Sequence, residues 1–163
     1  MKKYILEIIV FFSGAIVMVL ELVGSRVLAP YVGTSILVWT SLIGIILGSL
    51  SLGYYLGGRI ADKKASFRIL AFILFSAAIL ITLTTLIKSP VLTFIQTSIR
   101  DLRTASVVAT ILLFTPASIA LGMVSPYSVK LKLHRLEATG RTVGNLYALS
   151  TIGSIVGTFL AGF

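Results

Sequence analysis

Five apolar stretches of about 20 residues each follow one another along the 163 residues of this chain. An α-helix of about 20 apolar residues crosses the hydrocarbon layer of a bilayer, which is about 30 Å thick. Apolar residues make up 57% of the sequence and charged residues only 12%, whereas a soluble domain carries about 25% charged residues. We therefore predict an all-α polytopic transmembrane helix bundle, a single domain over residues 1–163 with spans at residues 4–29, 35–57, 69–87, 104–124 and 144–163.

Polar or helix-breaking segments separate the predicted spans. In "APYVGT", Pro30 and Gly33 predict a tight turn, and "GRIADKKASFR" (residues 58–68) predicts a polar loop. The third span is predicted to end at "KSP" (residues 88–90). Residues 91–103 are too short and too polar to cross a bilayer, so they predict either an interfacial helix or an extension outside the bilayer.

The basic residues give the predicted topology. The net charge is +9, and ten of the fourteen Lys and Arg residues lie in the N-terminal segment and in the loops after the second and fourth spans. Cytoplasmic segments carry the excess of Lys and Arg. We therefore predict an integral protein of the cell (inner) membrane with its N-terminus in the cytoplasm and its C-terminus outside. The lipid bilayer is the expected partner, and nucleic acid is not.

The residue types exclude several kinds of chemistry. The chain has no cysteine and a single histidine, His134, so disulfides, zinc–thiolate sites and histidine metal clusters are excluded. The sequence groups no nucleophile, base and orienting residue together. We therefore expect no enzyme activity, no cofactor and no metal.

Two charges lie within the apolar run of the first span. Arg26 can extend its guanidinium to the headgroups at the outer edge, whereas Glu21 lies five residues, or roughly 7 Å, deeper. A charge inside the hydrocarbon costs about 2.5–3.5 kcal/mol on insertion scales. Glu21 is interpreted as a structural anchor, as a carboxylate that binds a proton or a cation, or as a loose pair with Arg26. As an anchor it would be hydrogen-bonded to a hydroxyl such as that of Thr40, Ser41 or Tyr147.

Small residues recur four apart in the second and fifth spans. This spacing forms a groove on one helix face, where another backbone can approach closely. The glycines concerned are Gly44, Gly48, Gly53 and Gly57 in the second span and Gly153 and Gly157 in the fifth. Such a groove predicts either ordinary helix packing within one subunit or a moving or oligomeric interface.

Four segments in order resemble the N-terminal transmembrane domain of membrane-bound spermidine synthase-like (polyamine aminopropyltransferase-like) proteins. They are "FFSGAIVMVLELVGSRVLAPYVGTS", "GSLSLGYYLGGRIADK", "PASIALGMVSPYSVKL" and "GRTVGNLYALSTIGSIVGTFLAGF". Together they cover most of the chain. In that family the membrane domain is paired with a soluble aminopropyltransferase-like domain, which this sequence does not contain, so the resemblance does not imply the enzyme activity here.

A second resemblance is to half of a major facilitator superfamily transporter. The segment "GRIADKK" is similar to the G-x-x-x-D-(R/K) core of that superfamily's inner-loop motif through Gly58, Asp62 and Lys63, although "ASF" replaces the later part of the motif. The resemblance implies that the acid docks on a helix end and on basic neighbours and latches the inner gate. The other interpretation of Asp62 is a solvated loop acid beside Lys63 and Lys64.

These resemblances and the deep carboxylate of Glu21 lead to the functional prediction. We expect a half-size transporter that handles a small cationic solute, such as a polyamine, as a homodimer, with Glu21 and Arg26 as the candidate substrate- or proton-binding residues. Facilitator-type transporters bind their substrate between two repeats, so a second copy would supply the second repeat. The alternative is a non-catalytic membrane anchor or regulatory domain for a separate soluble enzyme domain.

Overall fold

The computed structural model describes residues 4–133 and 139–163, and this part of the chain is almost entirely helical. Each helix is long and apolar enough to cross a membrane, and the described residues contain no β-strand. The helices are α1 (Ile5–Val32), α2 (Ile36–Lys63), α3 (Phe67–Ser98), α4 (Leu102–Lys132) and α5 (Thr139–Gly162). The predicted fold class, an all-α polytopic helix bundle, is confirmed.

The first two helices are longer than their predicted spans, and the predicted boundaries are wrong there. α1 continues through Pro30 and ends at Val32, and the next residue, Gly33, has a φ of 78°, which glycine readily adopts. α2 includes most of the predicted polar loop, of which only residues 64–66 connect α2 to α3. A helix satisfies its own backbone hydrogen bonds, which favours helical structure up to the ends of a membrane bundle.

The third helix also passes its predicted end. α3 continues through Pro90 to Ser98, so most of the piece after "KSP" is a helical extension of α3 and not a separate interfacial helix. Leu92 and Ile95 of this extension are buried in the same apolar cluster as Ala105 of α4. This packing holds the extension in helical form although Pro90 lacks the N–H of an ordinary helical residue.

α1 and α4 are the two central helices, and the other three helices pack on them. α2, α3 and α5 each pack on both α1 and α4, and within the described residues none of the three packs on another. α1, α3 and α5 run in one direction, and α2 and α4 run in the other. We call the end of the bundle at which α1 begins the Asp62 end, and the opposite end, where α1 finishes, the Arg26 end.

The described basic residues lie at both ends of the helices, with more of them at the Asp62 end. That end has Arg59, Lys63, Lys64, Arg68, Lys130, Lys132 and Arg141, and the other end has Arg26, Lys88, Arg100 and Arg103. Lys2, Lys3, His134 and Arg135 lie outside the described residues. The orientation of the N-terminus toward the cytoplasm stays a prediction.

Gly53 and Gly57 allow α2 to lie directly on α4. A Cβ atom at Gly57 would be 2.7 Å from the Cα of Met123, which is closer than such atoms approach. A Cβ atom at Gly53 would overlap the carbonyl oxygen of Ile119. The backbones of these two parallel helices therefore touch where glycine removes the side chain.

Gly153 and Gly157 have the same role between α5 and α1. A Cβ atom at Gly157 would be 2.8 Å from the Cα of Ala15, and one at Gly153 would overlap the carbonyl oxygen of Phe11. α5 therefore lies parallel to α1 in backbone contact.

Gly44 and Gly48 differ from the other four glycines. Both are exposed, with open space where a Cβ atom would be. The buried residues Leu42, Ile46 and Leu50 occupy the opposite face of α2, which packs on α4. The close packing expected at Gly44 and Gly48 therefore does not occur within the described chain.

One added methyl group tests the contact between α1 and α5. Gly153→Ala places a Cβ atom on the Phe11 carbonyl, and we expect overpacking to lower the free energy of unfolding by about 1–3 kcal/mol. Gly144→Ala is the control, because Gly144 lies in the same helix with open space around it; it should leave stability unchanged or raise it by up to about 1 kcal/mol through helix propensity. Thermal unfolding in detergent measures both variants, and equal stability would contradict the contact.

Candidate functional site

Glu21 lies on a face of α1 that points toward other helices. Val17, Gly24 and Leu28 pack in the core with α2 and α4, and Gly14 lies against α5. Spacings of three, four and seven residues place all four on one face with Glu21. The Glu21 side chain is half-buried. Glu21 therefore lies on the side of α1 where α2 and α5 pack on it without packing on each other, and we call the gap between these two helices the α2–α5 crevice.

The carboxylate of Glu21 has no hydrogen-bond or ion-pair partner within residues 4–133 and 139–163. Ser41, one of the expected partners, donates its hydroxyl to the carbonyl of Leu37 at 2.8 Å instead. The other two, Thr40 and Tyr147, make no bond to Glu21 either. The interpretation as an anchor held by these hydroxyls therefore finds no contact in this part of the chain.

Arg26 contacts α5 and not Glu21. Its Nη2 atom donates to the carbonyl oxygen of Gly162 at 3.2 Å, and the side chain is exposed. Five residues of α-helix separate Glu21 and Arg26 by about 140° around the helix axis. The loose pair considered from the sequence is therefore not formed, and Arg26 joins the last turns of α1 and α5.

The hydroxyl groups of the α2–α5 crevice lie at a different depth from Glu21. Gly157 of α5 contacts Ala15 of α1, so Tyr147, ten residues before Gly157, is about 24 Å along the helix axis from the level of Glu21, six residues after Ala15. α2 and α5 both pack on α1 and α4 but do not pack on each other. Tyr54 of α2 and Tyr147 of α5 are both exposed. Thr151 follows Tyr147 by one turn of α5. The crevice thus has a carboxylate at one depth and hydroxyl groups nearer the Asp62 end.

The inner-loop motif lies in a helix and not in a loop. Gly58, Asp62 and Lys63 occupy the last two turns of α2, and Gly58 has open space where a Cβ atom would be. Asp62 forms an ion pair with Lys130 of α4 at 2.7 Å, and with neither Lys63 nor Lys64. The two paired side chains are 71% and 47% exposed, so the pair contributes about 0–1 kcal/mol.

Tyr127 of α4 holds the connection between α2 and α3. The residue is fully buried. Its hydroxyl donates to the carbonyl oxygen of Lys64 at 2.6 Å and accepts from the amide of Ser66 at 3.0 Å. Ser66 also caps α3, because its side chain accepts from the amide of Arg68. The α2–α3 connection is therefore fixed to α4.

A third contact at the same end joins α1 to α4. Lys132 forms an ion pair with Glu7, and the two side chains are 27% and 18% exposed. The end of α4 is thus bound to α1, to α2 and to the α2–α3 connection. We call this set the Asp62-end network: Glu7, Asp62, Lys64, Ser66, Tyr127, Lys130 and Lys132.

Most of the Asp62-end network was missed by sequence reasoning. The sequence pattern singles out Asp62 alone. It indicates no role for Glu7 and no contact of Tyr127, Lys130 or Lys132 with another helix or loop. The serine residues on both sides of Tyr127 in "SPYS" are a weak signal of a polar surrounding. No spacing in the sequence indicates which loop the hydroxyl of Tyr127 binds.

Removing one hydroxyl tests the Asp62-end network. Tyr127→Phe leaves the Lys64 carbonyl and the Ser66 amide without this partner, so we expect the free energy of unfolding to fall by about 1–3 kcal/mol. Tyr55→Phe is the control, because it removes an exposed hydroxyl that accepts from Arg59 and should change stability by less than about 0.5 kcal/mol. If thermal unfolding shows the two variants to be equally stable, Tyr127 does not hold the connection.

Neither a metal centre nor a known relative indicates what the crevice binds. Within residues 4–133 and 139–163, no three His, Cys, Asp or Glu residues are grouped so that they could hold a metal ion. No family model matches the chain, and no curated protein or solved structure matches it.

Proposed function

We propose that this membrane protein is half of a transporter for a small cationic solute or a proton, and that two copies form the complete unit. The observation that carries the proposal is Glu21, a half-buried carboxylate in an apolar helix with no partner among the described residues. Ionisable residues inside membrane helices face a bundle interior or a wet cavity and mark ion and proton pathways. No other acid of the described chain lies so far from a helix end.

The pairing of the helices supports the comparison with a transporter. The most extensive contacts are those of α2 with α4 and of α1 with α5, and each pair is in backbone contact at two glycines four residues apart. If α1 takes the place of α4 and α2 takes the place of α5, the α2–α4 pair becomes the α5–α1 pair. Each helix then runs in the direction opposite to that of the helix it replaces. Inverted repeats of this kind recur in secondary transporters. α3 has no counterpart among the described helices.

A second copy would close the α2–α5 crevice. The exposed face of α2 opposite α4 carries Gly44 and Gly48, which pack on nothing in the described chain. Two such faces can approach closely because glycine lets backbones meet. In the proposed homodimer the two crevices face each other, with Glu21 of both copies lining one shared pathway.

A cation is the solute class that suits this crevice. A carboxylate stabilises a positive charge and accepts hydrogen bonds from a solute's N–H groups. The resemblance to spermidine synthase-like proteins suggests a polyamine. The exposed pair of Asp62 and Lys130 would act as a gate contact that opens and closes readily, since an exposed pair contributes only about 0–1 kcal/mol.

The second candidate function is a membrane anchor for a separate soluble enzyme. The observation in its favour is the exposed basic surface at the Asp62 end, which would attract an acidic partner. Its residues are Arg59, Lys63, Lys64, Arg68 and Lys130. This function needs no role for Glu21.

Replacing the carboxylate of Glu21 tests the proposed transport. Protein in liposomes should accumulate labelled spermidine when a pH gradient is applied. Glu21→Gln keeps the size of the side chain and removes its charge, so uptake should fall by about 10- to 100-fold while the protein stays folded, as expected for the loss of a charged partner.

Asp101→Asn is the matched control. Asp101 is the N-cap residue of α4. Hydrogen bonds from the Thr104 hydroxyl and backbone amide lower the pKa of its carboxyl group. Asparagine caps a helix about as well as aspartate does. This variant should keep full uptake. Equal uptake by the Glu21→Gln and Asp101→Asn proteins would contradict the proposal, and no uptake by the parent protein would favour the anchor function.

A further inference from the structure

A groove runs along the bundle between α1 and α3. Its volume is about 210 Å³, and its walls include Val23 and Val27 of α1 and Ile81 of α3. Phe114 of α4 lines it from behind and lies against Gly24, where a Cβ atom would be 3.1 Å from the ring. No helix of the described chain covers the groove.

The groove leads to a cleft with two cationic side chains at the Arg26 end. Arg26 and Lys88 line this cleft of about 290 Å³, and Lys88 and Val27 line both the cleft and the groove. The hydroxyl residues Tyr31 and Ser89 also line the cleft. No carboxylate of the described residues lines either space. Two positive charges therefore lie at the Arg26 end of an apolar groove, and no described acid lines the cleft or the groove.

We propose that the cleft and the groove together bind one anionic phospholipid. Its phosphate lies between Arg26 and Lys88, and one acyl chain lies in the α1–α3 groove. Charge complementarity carries this assignment, because basic pockets between membrane helices bind anionic headgroups and the adjoining surface is apolar. A zwitterionic lipid would fit the groove equally well but would gain less from the two cations.

The side chains around the cleft have the donors that a phosphate needs. Arg26 uses one guanidinium N–H on the carbonyl of Gly162, which leaves four of its five N–H donors for the phosphate. Arginine binds phosphate through paired N–H groups. The half-buried Lys88 adds a point charge, and its aliphatic stem can lie along the apolar groove.

Native mass spectrometry of the purified protein with added lipid tests the site. Phosphatidylglycerol should stay bound more tightly than phosphatidylcholine with the same acyl chains. Lys88→Gln should weaken phosphatidylglycerol binding about fivefold, which corresponds to the loss of one basic residue near an anionic headgroup. Arg100→Gln is the control, because Arg100 is an exposed cation at the same end that lines neither space, and binding should be unchanged.

A second variant and a competitor separate the remaining outcomes. Val23→Trp fills the groove and should weaken binding of phosphatidylglycerol without unfolding the protein. Glycerol 3-phosphate, which has the headgroup chemistry without acyl chains, should not displace the lipid at equal concentration. Equal binding of the two lipids, equal effects of Lys88→Gln and Arg100→Gln, or displacement of the lipid by glycerol 3-phosphate would each overturn the proposal. So would a parent protein that is dimeric and a Val23→Trp protein that is monomeric, because a second copy would then cover the groove.

Discussion

Backbone contact at two glycine pairs is the constraint on which the rest of this bundle depends. Lipid tails are as apolar as the helices, so helices associate in a membrane mainly where small residues let them pack closely. Gly53 and Gly57 meet this need between α2 and α4, and Gly153 and Gly157 meet it between α5 and α1. Because α4 of the first pair packs on α1 of the second, whereas α2 and α5 do not pack on each other, a crevice is left between α2 and α5.

The same arrangement explains where the charged residues lie. At the Asp62 end, the last turns of α4 lie beside α1, α2 and the α2–α3 connection, so Lys130 and Lys132 reach acids on neighbouring helices. At the Arg26 end, α1 and α5 finish side by side, and Arg26 donates to the carbonyl oxygen of Gly162, the last residue of α5. Glu21 lies between these two ends on the face of α1 that borders the crevice, with no described partner. The proposed transport rests on this difference between Glu21, which has no described partner, and these charged residues at the two ends, which have partners.

The spans were predictable from the sequence because bilayer thickness fixes the length of an apolar helix. The helix ends were not, since Pro90 reads as a breaker but lies in a helix that packing on α4 maintains. The glycine spacing predicts the same close packing at Gly53 and at Gly44. Only the fold shows that Gly53 contacts α4 and that Gly44 faces outward. Tyr127 was missed because its partners are backbone groups of a distant loop, which leave no trace in side-chain patterns.

Access of water to position 21 tests the account most directly. The chain has no cysteine, so Glu21→Cys introduces a single thiol, and a charged methanethiosulfonate reagent reacts with thiolates that water can reach. Phe12→Cys is the reference, because Phe12 is 57% exposed on an apolar stretch of the same helix. The account predicts fast modification at position 21 and slow modification at position 12 in membrane vesicles. Modification at position 21 that is no faster than at position 12 would contradict it.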